Sequence, residues 1–282
     1  MSLVQHEYAR RRVLNRSMLI LSGAGAGVAI LLLLIILGYT LIQGISYLNL
    51  DFLTQAAKPL GETGGGMRNE IIGTLILVVI GSLIAIPVGL MTGIFLSEFG
   101  SPRVASSVRF VADILAGVPS IVVGVFAYAV LVAPLHSYSA VSAGVALSII
   151  MIPVVARTAE EAMRLVPNSM REAALALGIT RWRSVISVVV PGAIAGIVTG
   201  IMLGVARIAG ETAPLIFTAL GNAFGFSGLD KPIGALPLQI WRYATSPYVD
   251  WHHQAWAAAF LLVFIVLIIS MIVRWLSTRR RK

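Results

Sequence analysis

Apolar residues dominate this chain in long runs. Met18 to Ile42, Ile71 to Leu96, Phe110 to Ala133, Ser139 to Ala156, Val185 to Ala206 and Ala255 to Ile272 are each close to or above the roughly 18 residues that a membrane-spanning helix needs. Six such runs predict an all-α membrane protein with six transmembrane helices. The first run follows Arg10, Arg11, Arg12 and Arg16, but it exceeds the roughly 7 to 15 residues of a signal-peptide core and is read as a retained span. Pro87, Gly89 and Gly93 lie inside the second run, Pro119 inside the third and Pro153 inside the fourth. Interior prolines free backbone carbonyls, which is tolerated only where neighbouring helices or a cavity satisfy them, so these spans are expected to form a bundle. Gly192, Gly196, Gly200 and Gly204 recur at a four-residue interval in the fifth run, a helix-packing face for another helix of the chain or of a partner.

Residues 157–183 are polar and charged between two apolar runs. Within them Pro167 closes the preceding helix, and Ser169 with Glu172 forms an S-x-x-E capping box that predicts a short helix over Ser169 to Leu177. Met170, Ala174 and Leu177 share one face of it, Gly178 supplies a left-handed stop, and Thr180 caps the next helix. Such an amphipathic helix between two spans asks for a partner. Beyond Ser184 the charges are sparse as far as Leu229, Arg207 and Glu211 apart; that length predicts a re-entrant or surface segment broken at Pro214. Arg207 and Glu211 stand four apart, as do Arg109 and Asp113, and both couples read as helical ion pairs. Asp51, Pro59 and the run Gly61 to Gly66 read as a flexible outer turn. His252 and His253 beside Trp251 and Trp256 read as an interfacial aromatic belt, not a metal site.

Composition agrees. Of 282 residues 58% are hydrophobic and 12% charged, and the mean hydropathy is +0.92. The absence of cysteine excludes disulfides, zinc–thiolate sites and thiol nucleophiles. A net charge of +9 reflects topology and contact with anionic lipid, not nucleic-acid binding. With both termini in the cytoplasm, sixteen basic residues face inward; only Lys58, Arg68, Lys231 and Arg242 face outward, Arg207 standing apart near the outer end of span five. The segments are then a cytoplasmic 1–17, a six-span domain 18–276 with a cytoplasmic loop 157–183 and an outer segment 207–253, and a basic tail 277–282 anchored at the inner leaflet. No G-x-x-x-x-G-K-[ST] occurs, so any nucleotide hydrolysis belongs to another polypeptide.

Glu172-Ala173-Ala174, Gly178 and, nine residues on, Val188-Val189-Val190-Pro191 resemble the E-A-A loop of ABC-importer permeases, with Val at the family's Ile and Leu positions. Ala206-Arg-Ile-Ala-Gly-Glu-Thr-Ala-Pro-Leu215 resembles the A-R-x-x-G-E-T-A-P signature of the phosphate-specific PstA and PstC type, as does Leu236 to Ile240 with the Ser246-Pro247 turn. The resemblance implies a MetI-like permease of a type I ABC importer for inorganic phosphate. Ser169, Arg171, Glu172, Ala173, Ala174, Leu177 and Gly178 would then couple to the ATPase, and Arg207, Glu211 and Thr212 would line the substrate path. It also implies a PstC-like permease, a PstB-like ATPase dimer and a PstS-like phosphate-binding protein docking on 224–250. No cofactor is expected on this chain, ATP and Mg belonging to the ATPase. Two alternatives stay open: a permease for another oxyanion such as molybdate or sulfate, and an ion-coupled secondary transporter using Arg207 and Glu211 as a relay.

Overall fold

In hydrocarbon every backbone amide must be satisfied within its own segment, and the apolar runs accordingly close into helices. The computed structural model describes residues 2–59, 62, 64–222 and 224–279. In order these form α1 Ser2–Ile45, α2 Leu50–Thr54, α3 Arg68–Phe99, α4 Pro102–Gly117 and α5 Ser120–Leu135. There follow α6 Ala140–Arg164, α7 Asn168–Ala176, α8 Arg181–Ala209, α9 Ala213–Thr218, α10 Leu236–Ala244 and α11 Val249–Arg279. Among the described residues an isolated parallel bridge between Leu220 and Ile233 is the β-type pairing.

Five helices, α1, α3, α6, α8 and α11, are long and apolar enough to cross a membrane. The predicted third span differs. Val118 and Pro119 are both extended, with ψ of 131° and 132°, and they turn α4 by 98° into α5. Proline has no N–H to continue the helix and disfavours helical geometry in the residue before it. The apolar run from Phe110 to Ala133 is therefore two helices, and the bent pair makes the sixth crossing only if counted as one. Pro87 and Pro153, in contrast, lie within continuous helices.

Helix α6 is the hub, with two-thirds (67%) of its apolar window buried. It runs parallel to α3, whose Gly81, Gly89 and Gly93 meet Leu147, Val155 and Ala159 in rising order, and antiparallel to α8. The glycine repeat of α8 is the second seam. Gly192 meets Val166, Gly196 meets Ala162, Gly200 meets Thr158 and Gly204 meets Met151. As the glycine numbers climb, the partner numbers fall, which is the register of an antiparallel pair. The partner helix lies in the same chain, and missing side chains let two backbones approach where only packing, not water exclusion, drives association.

Helix α1 is peripheral. Its hydrophobic window is wholly uncovered by the rest of the chain, and it holds α11 near one end through Tyr39 edge-on to Trp256 at 5.1 Å and Tyr47 stacked on His253 at 4.4 Å. His252 bonds the Ser246 carbonyl at 2.7 Å. The chain on either side of the glycine run is tied to the helices. Phe52 is buried, Met67 N–H donates to the Phe52 carbonyl at 2.7 Å, and Gln254 donates to the Gly64 carbonyl at 3.2 Å. Gly61 and Thr63 of that run lie outside the described residues, as do Arg280–Lys282 of the tail; α11 continues through residue 277 to Arg279.

Candidate functional site

Two groups of residues at opposite ends of α8 carry the chemistry. At one end α6 stops at Arg164 and α7 begins at Asn168, with extended Pro167 in the capping position and no side-chain cap. The predicted capping box does not form. The helix starts one residue before Ser169, so Ser169 is already helical and its hydroxyl is past the amides it was to cap. Ser169, Glu172 and Ala173 are exposed. The predicted shared face also divides: Ala174 is buried against the chain, whereas Leu177 is 81% exposed. Leu165 and Leu175 are uncovered beside it. Met170 lines a groove of about 280 Å³ with Leu165, Pro167 and Gly192. The segment thus buries one alanine and presents three leucines outward.

Gly178 ends α7 with φ of 77°. Its N–H reaches the Leu175 carbonyl at 2.9 Å and the Ile179 N–H reaches Ala174 at 3.2 Å, the paired bonds of a Schellman stop. No atom lies near the space a Cβ would take, so glycine is required here for the left-handed backbone, not for room. Thr180 then sits at the start of α8 without a side-chain cap.

Charged side chains knit this end together. Arg171 pairs with Glu98 at 2.8 Å. Glu160, only 1% exposed, accepts from Arg109 at 2.6 Å, Arg157 at 3.1 Å and Arg164 at 2.8 Å. Asp113 pairs with Arg157 at 3.2 Å. The predicted Arg109–Asp113 couple is replaced by contacts between helices, because Glu160 is buried and a buried carboxylate must be paired. Glu98 and Glu160 were not singled out from the sequence; the one signal was a carboxylate within or at the end of an apolar run.

At the other end α8 finishes at Ala209, and the chain breaks over Gly210 to Thr212, not at Pro214. Pro214 stands in the first turn of α9, where its missing N–H costs nothing. Gly124 of α5 lies directly against Pro214, seating α9 beneath α5. Thr74 of α3 accepts the Leu236 N–H at 2.8 Å and so holds the start of α10. Arg207 and Glu211 approach to 3.8 Å, a loose ion pair beyond hydrogen-bond length. The Arg207 side chain is 46% exposed and that of Glu211 17%. Thr212 Oγ1 lies 3.4 Å from the Pro237 carbonyl. Arg207 continues a stripe of α8 through Thr199 and Leu203 that the chain leaves uncovered. The structure therefore brings Arg207, Glu211 and Thr212 together at one helix end, and Ser169 to Gly178 at the other. No group of histidine and carboxylate side chains suited to a metal occurs among the described residues.

The family described as binding-protein-dependent transport system inner membrane component matches residues 85–282. The chain is 40% identical over 274 residues to the phosphate transport system permease protein PstA of Yersinia pestis, covering 97% of this chain and 93% of that protein. It is 41% identical over 281 residues to PstA of Xylella fastidiosa, covering 98% and 97%. Among solved structures, an inward-facing form of the MetNI methionine ABC transporter superposes with a TM-score of 0.56 at 20% identity, over 76% of this chain and 94% of that one. An amino acid ABC transporter gives a TM-score of 0.52 at 19% identity, over 77% and 93%. These two share the fold. With its apolar helices this makes the chain a multi-pass inner-membrane permease subunit that works with an ATPase and a binding protein, and it belongs to the family of binding-protein-dependent transport system inner-membrane components, among the PstA-type permeases.

Proposed function

We propose that the chain is the permease subunit of an ATP-driven importer of inorganic phosphate, with Arg207 on the anion path. The observation that carries the reading is the placement of Arg207. It is a guanidinium at the end of a spanning helix, half exposed on a stripe that its own chain leaves open, with a carboxylate 3.8 Å away. A planar fork of donors suits a phosphate oxyanion. Hydrogen phosphate also carries a hydroxyl that Glu211 can accept, whereas sulfate at neutral pH carries none and meets only repulsion. Thr212 adds a hydroxyl to the same turn.

The open stripe of α8 suits a second, PstC-like permease, and the two chains would enclose the path. A PstB-like ATPase dimer, which binds the ATP and Mg, would grip Ser169 to Gly178 on the cytoplasmic side, with both termini on that side. A PstS-like protein would deliver phosphate to the outer segment 207–253, where Phe224 is fully exposed. The six-span domain 18–276 holds both sites, and the basic tail 277–282 anchors to the inner leaflet. This chain itself binds no cofactor. ATPase closure would push α7, and α8, about 40 Å long, would carry the displacement to Arg207 at its far end.

The test is uptake of labelled phosphate into liposomes holding the four partners, with sulfate as competitor. The unaltered complex is expected to take up phosphate only with ATP and to ignore sulfate. Arg207→Gln is expected to abolish uptake while the complex still assembles. ATP-driven uptake of another oxyanion would refute phosphate as cargo, and full uptake by Arg207→Gln would remove Arg207 from the path.

A further inference from the structure

Arg171 stands in the stretch expected to contact the ATPase, yet its side chain points the other way. It is 19% exposed and its partner Glu98 is 7% exposed. All five N–H donors of the guanidinium are engaged within the chain. Nε and one Nη2 proton meet the two oxygens of Glu98 at 3.3 and 2.8 Å. The other Nη2 proton reaches the Met163 carbonyl at 2.8 Å, and Nη1 reaches the Val166 carbonyl at 2.5 Å and Asn168 Oδ1 at 3.4 Å. The carbonyls of Met163 and Val166 belong to the last turn of α6 and the residues just after it, where helix geometry leaves oxygens without partners and a partial negative charge. One side chain on α7 therefore ties down the ends of both α3 and α6.

The far side of α7 is fastened to the same place. Arg181, at the start of α8, donates to the Glu98 backbone carbonyl, and its guanidinium lies over the Phe99 ring at 5.5 Å from the centroid. The coupling segment is thus bracketed between two arginines that converge on Glu98 and Phe99. Leu175 and Leu177 between them, and Leu165 just before α7, remain outward.

We propose that Glu98 and Arg171 form a transmission clamp that makes α7 and the ends of α3 and α6 move as one body, so that a push on α7 displaces the core instead of bending the joints at Pro167 and Gly178. Arg171 is a positioning residue: it acts on transport through Glu98 and the α6 carbonyls and touches neither ATP nor substrate. This deepens the importer reading and rests on it.

Four complexes are compared, unaltered, Glu98→Gln, Arg171→Gln and Arg171→Lys, in liposomes with all partners present. The first readout is phosphate moved per ATP hydrolysed, which lost stability alone does not alter among complexes that remain assembled. Each glutamine variant is expected to lower this ratio by about tenfold, the scale of an ordinary coupling free energy. Arg171→Lys, which keeps the charge but loses the planar fork, is expected to restore less than half of it. The second readout, independent of transport, is amide hydrogen exchange over residues 168–177, expected to speed up in both glutamine variants. An unchanged ratio in both glutamine variants, or unchanged exchange, overturns the clamp. If the unaltered complex moves no phosphate with ATP, the importer reading fails instead, and the exchange arm alone decides the clamp.

Discussion

Substitution of Gly196 by alanine tests whether the α6–α8 seam is set by contact between backbones. A Cβ at this position would stand 2.6 Å from the Cβ of Ala162 and 3.5 Å from its Cα, where ordinary contact begins at 3.4 Å. The shortfall is about 0.8 Å, and both partners are rigid, so the helices must part locally. Overpacking of this kind costs about 1–3 kcal/mol. A gap of that width also forfeits roughly a quarter to a half of each neighbouring dispersion contact. Alanine returns about 0.5–1 kcal/mol through its better helix propensity, leaving a net loss near 1–2 kcal/mol. Gly192 is the internal control, since a Cβ there meets only Val166 at 3.4 and 3.6 Å. Gly192→Ala is expected to be neutral or slightly stabilising. The thermal unfolding midpoint of the purified chain in detergent measures both, and a cycle with Ala162→Gly isolates the contact. That second glycine removes the clashing methyl, so the coupling energy is expected to be about 1–2 kcal/mol in favour of the double variant. The reasoning fails if Gly196→Ala is no less stable than Gly192→Ala, or if Ala162→Gly rescues nothing.

Glu160→Gln keeps the size of the side chain but leaves Arg109, Arg157 and Arg164 without their shared carboxylate; breaking so buried a network is expected to cost about 3–5 kcal/mol, read as a lowered unfolding midpoint in the same detergent. At Gly178 the left-handed backbone sets the order of substitutions. Alanine is expected to cost about 1–2 kcal/mol locally and asparagine less, read as faster amide exchange at Ile179, whose N–H holds the Ala174 carbonyl; equal exchange in the two variants would refute a conformational origin.

The spans were legible because hydropathy is a local property, and the glycine seam was legible because its four-residue period is local too. What the period left open was the partner, and only the fold places Val166, Ala162, Thr158 and Met151 opposite it in reverse order. The bend within the third apolar run was not legible for a related reason. An averaged hydropathy registers how apolar Phe110 to Ala133 is, but not that Val118 and Pro119 are extended and turn the chain by 98°. The charged end was least legible. Glu98 and Arg171 are 73 residues apart, and Arg109 and Glu160 are 51 apart, so no spacing rule pairs them, whereas Arg109 and Asp113 had a helical spacing that tertiary burial overrode. Motif resemblance located Arg171 within the coupling stretch but carried no information on which way it points. Direction depends on where α7 begins, and that is fixed by Pro167 together with the Met163 and Val166 carbonyls at the end of α6 that Arg171 caps. The division has a physical origin. In the hydrocarbon layer small residues and close backbones hold helices together through short-range periodic patterns, while at the membrane surface long arginines reach between helices. Those reaches join segments remote in sequence, and they meet at the end of the molecule where Leu165, Leu175 and Leu177 lie open.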